Sequence, residues 1–374
     1  MNLRIGIVAR CLNTAHIRGM GRYVYELIQQ LVDEPGVQWL VLGDDPRHPL
    51  NTPTGMRGAV EVFPFRGDRF QLWEQVGLPR RVKQQQVSVL HCTEGTLPLW
   101  QPVPTVVTLH DTLAWQELQG GPAVQAYFRG VLPAALKRCA AIITGSASAR
   151  DDISAKWPVL ADKITVIPHG IGSEYLKADQ PPVPSELQRS LSHTPYLVYL
   201  GGPLERKRFG WAVQALLASG LPQMQLVACG FGPAAAAAAR AALPANAAER
   251  VHFAPFLSNE EIFALYRTAV AVLYPTLYEG FGFPAIEAQA AGVPVIFSPV
   301  SSLNELVGPL TLLAAPHDIN AWAGAIQRAA TMGAERTALA DEARDWVQAF
   351  SWHRSALAHL EVYRRIAKAT DKTR

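Results

Sequence analysis

The residues best suited to chemistry lie in one stretch, YPTLYEGFGFPAIEAQAAGVPVIFS, where Glu279 and Glu287 bracket Gly280, Gly282 and Pro284. The pattern reads as a strand ending near Tyr274, a glycine-rich loop, a helix with Pro284 in its first turn and Gly292 as its stop, and a new strand. Glu279 then sits in the loop and Glu287 about one turn inside the helix. Gly280 and Gly282 let the backbone approach a ligand closely, and the free N–H groups and dipole of a helix N-terminus favour a phosphate there. Such a loop is an anion cradle between two carboxylates, suited to a diphosphate with polyhydroxylated groups on both sides. Taken as an isolated pair, the glutamates read more often as solvated charges at a helix start, where the dipole favours them anyway.

Three further segments carry reactive or permissive residues. The run ERKR contains Arg206, Lys207 and Arg208, which alone would be a solvated basic patch. VTLHDTLAW places His110 just after an apolar strand, where a lone histidine is more often structural. HIRGMGRYVYELIQQL offers Gly19 and Gly21 for a tight turn, with Arg22 opening the helix that follows.

The elements that must position these groups follow from alternation. Short β-branched runs at Leu3 to Ala9, Trp39 to Leu42, Val87 to Leu90, Thr105 to Leu109, Ala141 to Thr144 and Ile164 to Ile167 are separated by helix-like segments. This predicts βαβ units and a parallel sheet buried on both faces. The proline-rich, mostly polar ADQPPVPSELQRSLSHTP interrupts the pattern and reads as an interdomain linker over 179–194. Alternation restarts at Tyr196 to Leu200, Met224 to Ala228, Val251 to Ala254, Val270 to Tyr274 and Val293 to Phe297, so two doubly wound α/β domains are expected, over 1–178 and 195–345. The alanine run at 234–239 reads as a plain helix. Ligands of open parallel sheets bind outside the carboxyl ends of the strands, and most of the segments above lie just after strands.

Composition narrows the classes. A chain of 374 residues with 49% hydrophobic residues suits two cores, and a formal charge of +3 predicts no nucleic-acid partner. The four cysteines, Cys11, Cys92, Cys139 and Cys229, form no metal or disulfide pattern and read as buried thiols in a reducing compartment. The opening MNLRIGIVAR has no signal-peptide core, and no run approaches the ~18 apolar residues of a membrane span. A cytosolic chain is expected, with membrane contact at most peripheral.

EGFGFPAIEAQAAGVPVI resembles the Glu-x7-Glu signature of the family 4 retaining glycosyltransferases, group 1 enzymes such as bacterial mannosyl- and glucosyltransferases, and the resemblance extends over almost the whole chain. It implies a GT-B fold, in which two Rossmann-like domains face a cleft and the C-terminal segment 346–374, FSWHRSALAHLEVYRR within it, crosses back onto the first domain. It places Glu279 beside the donor hexose, Glu287 on the ribose hydroxyls, and the amides of Phe281, Gly282 and Phe283 on the sugar and phosphate. YLGGPLERKRFGWAVQAL resembles the segment carrying a diphosphate-binding Arg/Lys pair: Lys207 matches the lysine, and Gly202 stands where many members have an arginine, leaving Arg206 or Arg208 to substitute. His110 matches a histidine that contacts the donor sugar from across the cleft. Gly19, Gly21 and Arg22 fall in a loop near the phosphate or acceptor. HFAPFLSNEEIFALYRTA resembles the loop whose main chain meets the nucleobase, with Phe256 and Leu257 as candidates. Gly230 belongs to a glycine loop expected near the nucleotide.

The activity implied is hexosyl transfer from a nucleotide diphosphate sugar, GDP-mannose first and UDP-glucose second, to a hydroxyl of a glycan or lipid-linked acceptor, in polysaccharide or glycoconjugate synthesis. The resemblance implies neither cofactor nor metal. Retention by same-face attack and by a covalent intermediate both stay open, although Glu279 is disfavoured as nucleophile. A rival comes from MQLVACGFGPAAAAAAR, where Gly230, Gly232 and Ala235 match the dinucleotide-binding spacing GxGxxA of an NAD-dependent oxidoreductase. The acidic residue expected at the end of the next strand is replaced by Ala254, Pro255 and Phe256, so that fingerprint is incomplete. A GT-B nucleotide-sugar enzyme or binding protein that transfers nothing is a third reading. Finally, FRGDRFQLWEQVGLPRRVKQQQ interleaves Arg66, Arg69, Arg80, Arg81 and Lys83 with Phe65, Phe70, Leu72, Trp73 and Val76. It reads either as an amphipathic helix with a solvated basic rim or as a surface meeting an anionic membrane or polyprenyl-linked acceptor.

Overall fold

Runs that are apolar at nearly every position bury both faces of a strand, and here they build two parallel sheets. The computed structural model describes residues 2–14, 17, 19–63, 69–116, 122–176, 187, 191 and 194–371. Two compact units are formed, one from residues 1–170 with 351–374 and the other from 171–350.

In the first unit, β1 (Leu3–Val8), β2 (Val37–Gly43), β3 (Gly58–Val62), β4 (Val89–Cys92), β5 (Thr105–Thr108), β6 (Ala141–Thr144) and β7 (Ile164–Val166) lie in the order β3-β2-β1-β4-β5-β6-β7. Every pairing is parallel, with Ile5 opposite both Trp39 and Val89. In the second unit, β8 (Tyr196–Leu200), β9 (Gln225–Cys229), β10 (Val251–Phe253), β11 (Ala271–Tyr274), β12 (Val295–Phe297) and β13 (Thr311–Leu313) take the order β10-β9-β8-β11-β12-β13, also parallel throughout. Both sheets are doubly wound α/β, as the alternation predicts. The central strands are those seen in the sequence. β3 and β13 are additional edge strands, and their half-exposed faces leave no continuous apolar run to recognise.

The units divide at different residues from those read in the sequence. Ile171 donates its N–H to Phe350 O at 3.0 Å, and Tyr175, Leu187 and Leu191 pack into the core of the second unit. The first boundary is therefore at 170/171 rather than 178, and two leucines of the expected linker belong to a core; the rest of 179–194 lies largely outside the described residues. The second boundary falls at 350/351 rather than 345, because Trp346 and Phe350 still pack against the core containing Phe281.

The C-terminal helix Trp352–Asp371 then belongs to the first unit. It buries Ala356, His359, Leu360 and Tyr363 completely. Its polar residues are satisfied by a hydrogen-bonded circuit: Tyr363 Oη lies 2.7 Å from His91 Nδ1, His91 Nε2 lies 2.8 Å from Thr108 Oγ1, and Thr108 Oγ1 lies 2.8 Å from Tyr23 Oη. Tyr23 Oη in turn lies 2.8 Å from His359 Nε2, and His359 Nδ1 lies 2.7 Å from Ser355 O. No helix among the described residues is long and apolar enough to cross a membrane.

Candidate functional site

β11 delivers the chain at Tyr274 to the carboxyl edge of the second sheet, and the helix Phe283–Ala290 begins eight residues after the loop starts, with Pro284 in its first turn. Gly282 is the N-cap at φ +118°, and a Cβ there would fall 2.6 Å from Leu303 Cδ2, so both the conformation and the space require glycine. The loop backbone is clamped from the next strand's exit. Glu279 N–H donates to Ser301 Oγ at 2.9 Å, while Ser302 Oγ lies 2.8 Å from Glu279 O and 2.6 Å from Phe281 O, sharing its hydroxyl between the two carbonyls. Ser301 itself sits at φ +45°. These two serines, at the carboxyl end of β12, were not among the sequence candidates. Their signal would have been a small polar pair just past the neighbouring strand.

Glu279 is nearly buried, and two cations converge on its Oε1. Lys207 Nζ is in hydrogen-bonded contact with it, and Arg206 Nη1 lies 3.2 Å away. Lys207 Nζ also lies 3.4 Å from the hydroxyl of Tyr274, and Arg206 Nη1 donates to Tyr278 O at 2.9 Å. Both cations come from the turn Glu205–Lys207 just past β8, which is tied to the loop by Leu277 N–H donating to Arg206 O at 3.0 Å. Burial, reinforced by the Glu279 carboxylate, pushes the Tyr274 phenol well above its ordinary range, so it stays a neutral donor. Two cations against one carboxylate leave the cluster positive, beside a helix N-terminus that also favours anions.

The backbone sends the side chains of Arg206 and Arg208 to different partners. Arg208 adopts φ +55°, which turns its side chain away to bond Pro316 O and lie 4.0 Å over Trp211. Arg206 alone of the two joins Lys207 and Glu279. Gly202 cannot be replaced by a basic residue without strain: at φ +61° its Cβ would fall 2.5 Å from Gly230 O. Gly230, at φ +90°, therefore serves a close approach of two loops at the ends of β8 and β9. Glu287 is buried within the helix Phe283–Ala290, Phe281 is buried and Phe283 half-buried, with their rings 5.3 Å apart. Phe256 is exposed, whereas the side chain of Leu257 is in the core, which leaves only its main chain for a ligand.

In the first unit, His110 follows β5. Its Nε2 lies 3.0 Å from Thr93 O, which can only accept, so Nε2 carries the proton and Nδ1 keeps its lone pair. Burial lowers its pKa and keeps the ring neutral. Tyr23 meets it edge-on at 5.2 Å. Gly19 and Gly21 are not in a loop, as the sequence reading had them, but in the first turn of the helix Gly19–Gln30, so Arg22 follows that opening rather than making it. A Cβ on Gly21 would fall 2.8 Å from Cys11 O, and this packing explains that glycine without any ligand.

The basic, aromatic segment divides. Phe65 and Arg66 lie outside the described residues, as do the side chains of Arg69 and Phe70. Trp73 does not face outward: it is buried, donates Nε1–H to Phe63 O at 2.9 Å and stacks on Phe63. Arg81 pairs with Glu61 at 2.5 Å. Leu72, Arg80 and Lys83 remain exposed.

Two family models match the chain. That described as "Glycosyl transferases group 1" covers residues 190–346, and that described as "Glycosyltransferase Family 4" covers residues 17–175. An O-antigen chain mannosyltransferase of Salmonella typhimurium is 26% identical over 63% of this chain and 63% of its own length. A D-inositol 3-phosphate glycosyltransferase of Nocardioides is 39% identical over 31% of this chain and 26% of its own, so less than two thirds of either relative is spanned. A 2-deoxystreptamine glucosyltransferase of Streptomyces kanamyceticus is 28% identical over 79% of this chain and 75% of its own. Among solved structures, sucrose-phosphate synthase of Thermosynechococcus elongatus superposes with a TM-score of 0.73 at 23% identity, covering 98% of this chain and 100% of that one. Anabaena HepE in complex with UDP and glucose gives a TM-score of 0.72 at 17% identity, covering 99% and 100%.

Proposed function

This chain belongs to the group 1 glycosyltransferases and has the GT-B fold, and we propose that it transfers a hexosyl group with retention from a nucleotide diphosphate sugar to a hydroxyl of a glycan or lipid-linked acceptor. The observation that carries the reading is the convergence of Lys207 and Arg206 on Glu279, beside the glycine-capped N-terminus of Phe283–Ala290. Departure of a nucleoside diphosphate puts growing negative charge on its phosphate. Cations and amides already aimed at that place stabilise the transition state without reorganising.

In this reading Lys207, Arg206 and the amides of Gly282 and Phe283 receive the diphosphate, and the amide of Phe281 and the loop around Gly280 border the sugar. Glu287 takes the ribose hydroxyls, and main-chain groups of Phe256 and Leu257 meet the base. His110 keeps an acceptor lone pair on Nδ1, suited to a sugar hydroxyl. The family resemblance sets Glu279 beside the outer hydroxyls of the hexose rather than its anomeric carbon, which favours same-face attack: the acceptor oxygen bonds the anomeric carbon as the sugar–phosphate bond breaks, and a phosphate oxygen takes the acceptor proton. Two cations of the chain itself supply the charge that a divalent ion would otherwise bring, so the reaction is proposed to run without metal. GDP-mannose is the first donor and UDP-glucose the second, a choice supported by the mannosyl- and glucosyltransferase relatives.

A thermal-shift screen of nucleotide sugars in chelator selects the donor, since a ligand of the folded state raises its melting temperature. NMR of the glycosidic product then reads the anomeric configuration. An inverted linkage or a strict metal requirement would overturn the mechanism, and donor consumption with no transfer to any acceptor would favour a non-transferring enzyme.

A further inference from the structure

The carboxylate of Glu279 occupies the same two cations that the diphosphate needs. Its side chain is 10% exposed, against 14% for Lys207 and 24% for Arg206, so the contacts are screened far less than a surface pair. The backbone of Glu279 is held at both ends by Ser301 and Ser302, which leaves the side chain as the part able to move. Both cations also have a second partner: Tyr278 O for Arg206 and the Tyr274 hydroxyl for Lys207. They therefore stay in place if the carboxylate leaves. A phosphate arriving at this cluster competes with a monoanion for two donors of which that monoanion offsets only one charge, and a diphosphate has the greater charge and more acceptor oxygens.

We infer that Glu279 is an anionic placeholder: its carboxylate engages Arg206 and Lys207, yields them to the diphosphate of the donor, and recaptures them as the nucleoside diphosphate product leaves. This deepens the nucleotide-sugar reading and rests on it. While displaced, the carboxylate is available to the hydroxyls of the hexose, so the intact donor compensates its displacement and the product does not. Glu279 thus weakens the binding of product relative to donor and speeds its release.

The test is calorimetric titration of UDP, GDP and inorganic pyrophosphate into the full chain and into Glu279→Gln, Lys207→Ala and the double variant, at low and high salt. Glu279→Gln should bind the nucleoside diphosphate about tenfold more tightly, the scale of one charge-assisted contact, with a steeper salt dependence. In the Lys207→Ala background the same substitution should give most of that gain back. Equal or weaker binding by Glu279→Gln would overturn the placeholder role while leaving the nucleotide-sugar reading intact. If the unmodified chain binds no nucleoside diphosphate, both fail together. Should Glu279→Gln not fold, Glu279→Asp carries the same comparison, because it draws the charge back from the cations and should tighten binding by a smaller factor.

Discussion

Tyr23 Oη lies 2.8 Å from His359 Nε2, although 336 residues separate them in the chain. The direction of the whole circuit follows from its end. Ser355 O only accepts, so His359 Nδ1 carries the proton and Nε2 accepts from Tyr23. Thr108 must then donate to Tyr23, His91 Nε2 to Thr108, and Tyr363 to His91 Nδ1. Both imidazoles have to be neutral for this, and burial enforces it, holding His91 well below its ordinary value and His359 at about 4.

A group whose folded pKa is depressed contributes stability above its unfolded pKa and loses it as the pH falls toward the folded value. The chain should therefore lose stability from about pH 6.5 down to about 4, by roughly 3 kcal/mol from His359 alone. Melting temperature across that range tests this. His359→Gln should be less stable at pH 7 and show a shallower decline, and parallel curves for the two proteins would remove His359 from the titration.

Lys207→Ala should depress kcat far more than it raises KM for the donor, because its charge is most needed when the diphosphate departs. Losing such a contact typically costs about 2.7 to 4 kcal/mol, or roughly 100- to 1000-fold in rate. Arg206→Ala should lower kcat in the same direction. Arg208→Lys should leave kcat nearly unchanged, since Arg208 bonds Pro316 and lies over Trp211. Steady-state kinetics of the three variants separates these roles.

Gly282→Ala should abolish donor binding or destabilise the fold by about 1 to 3 kcal/mol, since it places a side chain at φ +118° against Leu303. Calorimetry with the nucleoside diphosphate and a denaturant melt distinguish the two effects. A variant that binds and melts as the unmodified chain does would show that the helix N-terminus tolerates a different geometry.

Glu287→Ala should weaken nucleotide-sugar binding by about 1 to 3 kcal/mol through lost charge-assisted hydrogen bonds to the ribose. The expected loss is confined to ligands that keep the ribose, so affinity for pyrophosphate should not change. Equal weakening of both ligands would assign Glu287 to the architecture of its helix instead.

What the sequence determined by itself is what neighbouring residues decide together. Short β-branched runs apolar at nearly every position read as strands buried on both faces, so the central strands, the doubly wound class and the loop–helix unit around Gly282 and Pro284 were all legible. The edge strands Gly58–Val62 and Thr311–Leu313 were not, because a half-exposed strand needs no continuous apolar pattern. Tertiary structure decided the rest. It brought the exits of β8, β11 and β12 to one edge, where Arg206 rather than Arg208 reaches Glu279 and where Ser301 and Ser302 clamp the loop. It also moved the domain boundary to 350/351 and joined Tyr23 to His359. Such contacts depend on strand order and on one left-handed residue at Arg208, and neither is encoded in the spacing of residues within a single element.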